Sequence, residues 1–175
     1  AKDFNLFVLY DLQQPSSDTE GKVAVGRSAD LANYSVGYPY PNSNGTEDML
    51  IVGENLTFRS GAVYSGNVVY GVSTNLPIPL ATINNGTLRQ DTPIDFAAAR
   101  NYLSSLSTQI GAYTPNGDVT FQWEQLMCNG SNPLLNVFEV EGSDLTAAND
   151  FRVNAPNGSV VLVNIKGEYA KWTGG

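Results

Sequence analysis

Val25-Gly26-Arg27-Ser28-Ala29-Asp30-Leu31 is a short apolar step, a glycine bend and a second short apolar step, and the order returns at Val52-Gly53-Glu54-Asn55-Leu56. Ser65-Gly66-Asn67-Val68-Val69 and Tyr70-Gly71-Val72 repeat it less completely. Strands this short cannot bury their apolar side alone, whereas stacked coils let each inward Val or Leu rest on the one beneath. The repeat therefore predicts a mainly β chain wound as a right-handed β-solenoid, or β-helix. A β-sandwich with a flanking helix is the alternative, because strands at roughly 8–12-residue spacing also suit two packed sheets.

Working outward, residues 4–12, 22–25, 49–52, 62–64 and 68–72 read as strands, rich in β-branched and aromatic residues between Gly, Asn and Ser breaks. Residues 119–127, 134–141, 151–154 and 160–165 return to the same pattern. Between the two groups, Thr92-Pro93-Ile94-Asp95 reads as a capping box with Pro at the first helical position. Phe96, Ala99, Leu103, Leu106 and Ile110 then recur at helical spacing, and Gly111 suits the C-terminal end. This predicts one long amphipathic helix over about 93–110, packed alongside the β-body with Arg100, Asn101, Ser104, Ser105 and Ser107 in water.

A length of 175 residues predicts a single domain. Charged residues make up 15% of the chain, so its surface is largely uncharged and polar. The formal charge of −8 repels a phosphate backbone, which argues against nucleic acid and anionic lipid as partners. The absence of histidine removes Ser-His-Asp and Cys-His catalysis and every imidazole-ligated metal site. Cys128 is the one cysteine, so no internal disulfide can form, and it reads as a small buried apolar residue. No apolar run approaches the roughly 18 residues that cross a bilayer. Membrane insertion is therefore not expected, and Ala1 suits the start of a mature chain after signal-peptide removal.

Six triplets fit the N-glycosylation pattern, at Asn33, Asn44, Asn55, Asn85, Asn129 and Asn157, where chance would supply about three. Their excess points to an extracellular glycoprotein. Four of the six are Asn-Gly, however, a dipeptide that turns favour for its backbone alone.

Asp3-Phe4-Asn5-Leu6-Phe7-Val8-Leu9, followed by Ser17-Asp18-Thr19-Glu20-Gly21 and Lys22-Val23-Ala24-Val25-Gly26, resembles the opening of the choice-of-anchor A domain of secreted and wall-anchored surface proteins. Residues 96–106 fall where that family has its helix. Asn136-Val137-Phe138-Glu139-Val140 and the stretch 155–167 resemble its central and late strands. The likeness spans nearly the whole chain, 1–175. It implies a β-helical adhesin-type module on a cell surface, with no catalytic residues to carry over. The order of strands and single helix is also similar, more distantly, to the discontinuous β-solenoid of ice-binding proteins. Tyr10 and Arg27 stand where the family has glycines, and at Thr173-Gly174-Gly175 the family domain is expected to continue.

Candidate sites follow from side-chain chemistry. Asp18 and Glu20 could ligate Ca²⁺ through oxygen, against the alternative of a turn satisfying its own backbone. Tyr34, Tyr38 and Tyr40 precede a polar, turn-prone stretch and suit stacking on sugars or packing against a partner protein. Glu139 and Glu141 alternate onto one strand face at a separation a glycosidase pair could use, although an exposed acidic face explains them without chemistry. Lys22 or Lys166 could form an isopeptide bond only if buried beside an acid. The reading that results is a non-enzymatic adhesive or structural module for an extracellular glycan or matrix protein, with no cofactor required. Three alternatives stand beside it: self-assembly with further copies of itself, ice binding, and a polysaccharide-cleaving β-helix.

Overall fold

A computed structural model describes residues 2–76 and 81–171. Ala1 and Thr173-Gly174-Gly175 lie outside the described residues. The chain divides into two compact units, residues 1–102 and 103–175.

In the first unit the strands come in triplets: β1 (Leu6–Val8), β2 (Leu12–Gln14), β3 (Ser17–Thr19); β4 (Val23–Val25), β5 (Ala29–Leu31), β6 (Tyr34–Val36); β7 (Asp48–Val52), β8 (Asn55–Phe58), β9 (Gly61–Val63); β10 (Asn67–Tyr70), β11 (Ser73–Asn75), β12 (Ala81–Ile83); then β13 (Leu88–Gln90). Each triplet is one coil. Equivalent strands stack into three parallel sheets, β1-β4-β7-β10-β13, β2-β5-β8-β11 and β3-β6-β9-β12. Three parallel sheets wound from successive strands overturn the sandwich alternative, whose two layers are antiparallel. Leu6 aligns with Val23, Val23 with Leu50, Leu50 with Val68 and Val68 with Leu88, offsets of 17, 27, 18 and 20 residues. The long second offset reflects an insertion at the corner between β6 and β7.

Alternation sends every second side chain inward, where Val23, Leu50 and Val68, Leu31 and Phe58, and Val36 and Val63 stack in registered columns. Corners must let backbone lie on backbone, and this is what the repeated glycine supplies. The N–H of Gly26 donates to the Val8 carbonyl, that of Gly53 to Val25 and that of Gly71 to Val52, at 2.8, 2.8 and 2.9 Å. A Cβ on Gly53 would collide with the Gly26 carbonyl oxygen, and one on Gly71 with that of Gly53. At Tyr10 and Arg27, where the resemblance to the choice-of-anchor A domain leads one to expect glycine, the corner forms with both side chains leaving the stack. The Arg27 guanidinium lies 5.3 Å from the Tyr10 ring centroid and pairs with Asp11.

The stretch 4–12 is therefore two strands with a corner at 9–11, not one long strand. Residues 17–20, expected as a loop or turn, contribute β3 instead, because the coil needs a third side there.

The second sheet carries a polar outward rank, and the third one that is polar except at Ala62. The first sheet does not: outward-facing Ala24, Ile51 and Val69 are buried. Phe96 opens the helix α1 (Phe96–Gly111) and packs on Phe7 at 5.6 Å between ring centroids, over Gly26 and Gly53. Of the α1 residues, Phe96, Ala99, Leu103, Leu106 and Ile110 are half-buried and the rest exposed, which is the expected stripe. The helix starts a turn later than Pro93, since the N-cap is Asp95: its Oδ1 accepts the Ala98 N–H at 2.8 Å.

In the second unit β14 (Asp118–Gln122) pairs antiparallel with β15 (Gln125–Asn129), which pairs parallel with β17 (Asp150–Asn154); β16 (Leu135–Glu141) pairs parallel with β18 (Val160–Lys166). The short α2 (Gly142–Ala147) follows β16. Leu126, Cys128, Phe138, Val140, Leu145 and Ala148 form its core. Cys128 is buried there, as read from sequence, and burial pushes its thiol pKa up. The run 119–127 is a hairpin and not a single strand. Its two turn residues, Trp123 and Glu124, have φ of 49° and 61°. That left-handed conformation costs about 1–2 kcal/mol per residue for side chains with a Cβ.

Candidate functional site

The insertion between β6 and β7 is the feature that breaks the coil rhythm, and it is held firmly. Gly37 leaves β6 at φ 77° and its N–H donates to the Thr19 carbonyl at 2.8 Å. The Tyr40 N–H closes a turn onto the Gly37 carbonyl (3.0 Å) around the cis Tyr38–Pro39 bond. Further along, Asn42 Oδ1 accepts the Asn44 N–H at 2.8 Å and Thr46 Oγ1 donates to the Ser43 carbonyl at 2.7 Å. The next coil bolts the loop down. Ser65 Oγ donates to the Tyr40 carbonyl at 2.8 Å, the Ser43 N–H donates to the Ser65 carbonyl at 3.0 Å, and the buried Asn67 donates from Nδ2 to the Gly45 carbonyl at 2.8 Å.

On this frame sit two exposed tyrosines. Tyr38 is 65% exposed and its ring packs on Tyr64 at 5.4 Å; Tyr40 is 37% exposed. Lys22 Nζ lies 5.9 Å from the Tyr40 centroid and 2.8 Å from Glu47, and that carboxylate raises the lysine above its usual pKa. Tyr40 separates two shallow hollows. One, of about 570 Å³, is lined by Lys2, Asp3, Phe4, Asn5 and Lys22; the other, of about 430 Å³, by Pro41, Asn42, Ser43, Thr46 and Glu47. Flat aromatic surface beside amide, hydroxyl and paired-charge groups can stack on an apolar ring face and hydrogen-bond its rim.

Tyr34 does not belong to this set. It is 2% exposed, lies on β6 in register with Gly61, and shares a 2.6 Å hydrogen bond between its hydroxyl and Thr19 Oγ1. Gly61 is needed because a Cβ there would collide with the Tyr34 backbone, and the half-buried Thr19 hydroxyl satisfies the phenol. What the sequence reading did not bring to the tyrosines was Tyr64, Lys22 and Glu47, which come from just after β9, just before β4 and just before β7. The stacking offset alone would have found Tyr64, one residue after Val63, which aligns with Val36.

The other candidates are dispersed. Asp18 faces outward from the middle of β3, Glu20 is exposed at the next corner, and the described residues contain no group of three or more acidic, His or Cys side chains able to hold a metal. Glu139 and Glu141 are exposed on β16, where Glu139 pairs with Lys166 at 2.7 Å. The half-buried Lys22 pairs with Glu47 and the exposed Lys166 with Glu139, so neither is the fully buried amine an isopeptide needs. Asn33, Asn44, Asn85, Asn129 and Asn157 are exposed, while Asn55 is half-buried, accepting from Ser73 Oγ (2.7 Å) and donating to Ser28 Oγ (3.3 Å).

The family model of an ice-binding-like adhesive domain matches residues 1–175. The chain belongs to that family. Neither the curated proteins nor the solved structures contain a match. As an ice-binding-like adhesive domain, the chain has an adhesive and non-enzymatic character, and its β-solenoid and exposed tyrosines accord with it.

Proposed function

We propose that this adhesive domain is an extracellular module of the choice-of-anchor A type, one domain across both units, which holds a neutral glycan or glycan-bearing matrix protein at Tyr38 and Tyr40. The observation that carries the reading is the rigid presentation of two exposed rings on an insertion tied to the next coil at Ser65 and Asn67. Individual contacts of this kind are weak, and repeated display on one surface multiplies them. N-glycans belong on the five exposed asparagines and not on Asn55, whose side chain is engaged on both sides.

Two other readings have less support. The outward ranks Gln13-Asp30-Thr57-Asn75 and Asp18-Ser35-Ala62-Thr82 mix charge and size, with Asp30 in a bidentate pair with Arg59, which is a poor template for a flat ice lattice. Self-assembly must overcome repulsion between copies of charge −8.

Retention on immobilised neutral polysaccharides, collagen and fibronectin tests the proposal. The native chain should bind at least one of them, and the double variant Tyr38→Ala/Tyr40→Ala should bind that surface about tenfold more weakly with an unchanged melting curve. Equal retention by the folded double variant would refute the site.

A further inference from the structure

The hairpin joining β14 to β15 turns on two residues, and both take positive φ. Asn-Gly is the sequence that such turns favour, and this chain uses it at five other places, among them Asn44-Gly45, where both residues likewise have positive φ. At the hairpin it uses Trp123-Glu124 instead. Unfavourable backbone held by its surroundings marks a place where something other than folding selects the side chain. The surroundings here are explicit. The Glu124 carbonyl accepts the Asn149 N–H at 2.8 Å and the Asp150 N–H at 3.3 Å, and the Glu124 carboxylate accepts the Asn149 side-chain amide. This clamp fixes the tip, leaving the indole of Trp123 91% exposed.

We propose that Trp123 is a stacking contact for a neutral glycan, a binding point that does not depend on the tyrosine loop. The groups around the tip select that ligand. Gln122 and Gln125 are paired and exposed on the side opposite the inward Phe121 and Leu126, and Asn149 is bonded to the turn at Glu124, so amide groups flank the turn that carries the indole. Amides match sugar hydroxyls, while an indole face matches the C–H face of a pyranose ring. The charged groups nearest the turn are Glu124 and Asp150, with Arg152 already paired to Asp150 at 2.6 Å, which disfavours an anionic ligand.

The full chain carries two tryptophans, so a Trp172→Phe background leaves Trp123 as its one indole. Its emission is recorded with laminarin, dextran, galactomannan and yeast mannan, alongside electrophoretic retardation in native gels containing each. At least one polysaccharide should retard the protein and shift the emission to the blue. Trp123→Asn, which suits the positive φ and keeps the hairpin, should weaken retardation about tenfold. Tyr38→Ala/Tyr40→Ala should leave the emission shift in place, which separates this contact from the tyrosine site. The proposal is overturned if none of the four polysaccharides shifts the emission, if Trp123→Asn is retarded like the native chain, or if the shift vanishes in the tyrosine variant. A shift with phosphatidylcholine vesicles alone would overturn it too, assigning the indole to a lipid surface.

Discussion

At the scale of single residues, the fold turns on what a Cβ would meet. Gly26, Gly53 and Gly71 were readable as bends because they recur after Val25, Val52 and Tyr70. Their purpose is visible only once carbonyl oxygens of one coil are seen against the α-carbons of the next. Gly53→Ala should therefore lower stability by about 1–3 kcal/mol, the usual scale of overpacking, and urea unfolding followed by circular dichroism measures it. Gly111, with open space around its α-carbon, is the control that should tolerate alanine. Tyr34 shows the limit of reading locally. Its immediate neighbours are Asn33 and Ser35, so it looks wet, yet its partner Thr19 is fifteen residues away and one coil below.

Elements were more legible where a period could express itself. Sixteen residues of α1 are enough for a stripe to repeat, and the same five residues proposed from spacing are the half-buried ones. Strands of three to five residues are too short for a period to mark where one ends, so corners inside 4–12 and 119–127 were invisible. The helix start was misplaced because Thr92 and Asp95 both suit an N-cap, and contact of Phe96 with Phe7 favours the later one. Asp95→Ala should cost about 1 kcal/mol in a thermal or urea transition, whereas Thr92→Ala should change it by a few tenths at most. Equal losses from both would restore the earlier start.

On the scale of the whole molecule, strands far apart in sequence are cross-linked by charge. Arg89 on β13 reaches over β10 to hold Asp48 at the start of β7 through two hydrogen bonds of 2.6 and 2.7 Å. Its guanidinium, aided by Asn67, keeps the Asp48 carboxyl below the usual aspartate pKa. A carboxylate depressed in the folded state contributes its full stabilisation above the unfolded pKa of about 3.9 and loses it as pH falls through the folded value. Melting temperature should therefore drop below about pH 4, and Asp48→Asn should flatten that drop while lowering stability at pH 7. A drop unchanged in Asp48→Asn would place the acid sensitivity elsewhere. The candidate site drew on this same long-range geometry: its tyrosines were recognisable by type, but Lys22, Glu47 and Tyr64 join them only through coil stacking.

The offset of 27 residues between Val23 and Leu50 has one more consequence. Beyond the insertion, Val25 meets Val52 and Leu31 meets Phe58 as if nothing had intervened. The winding thus tolerates foreign cargo at a vertex without altering its pitch. What the vertex presents and what the spiral requires are under separate control, so the segment 37–47 can be exchanged while the supporting rungs stay as they are.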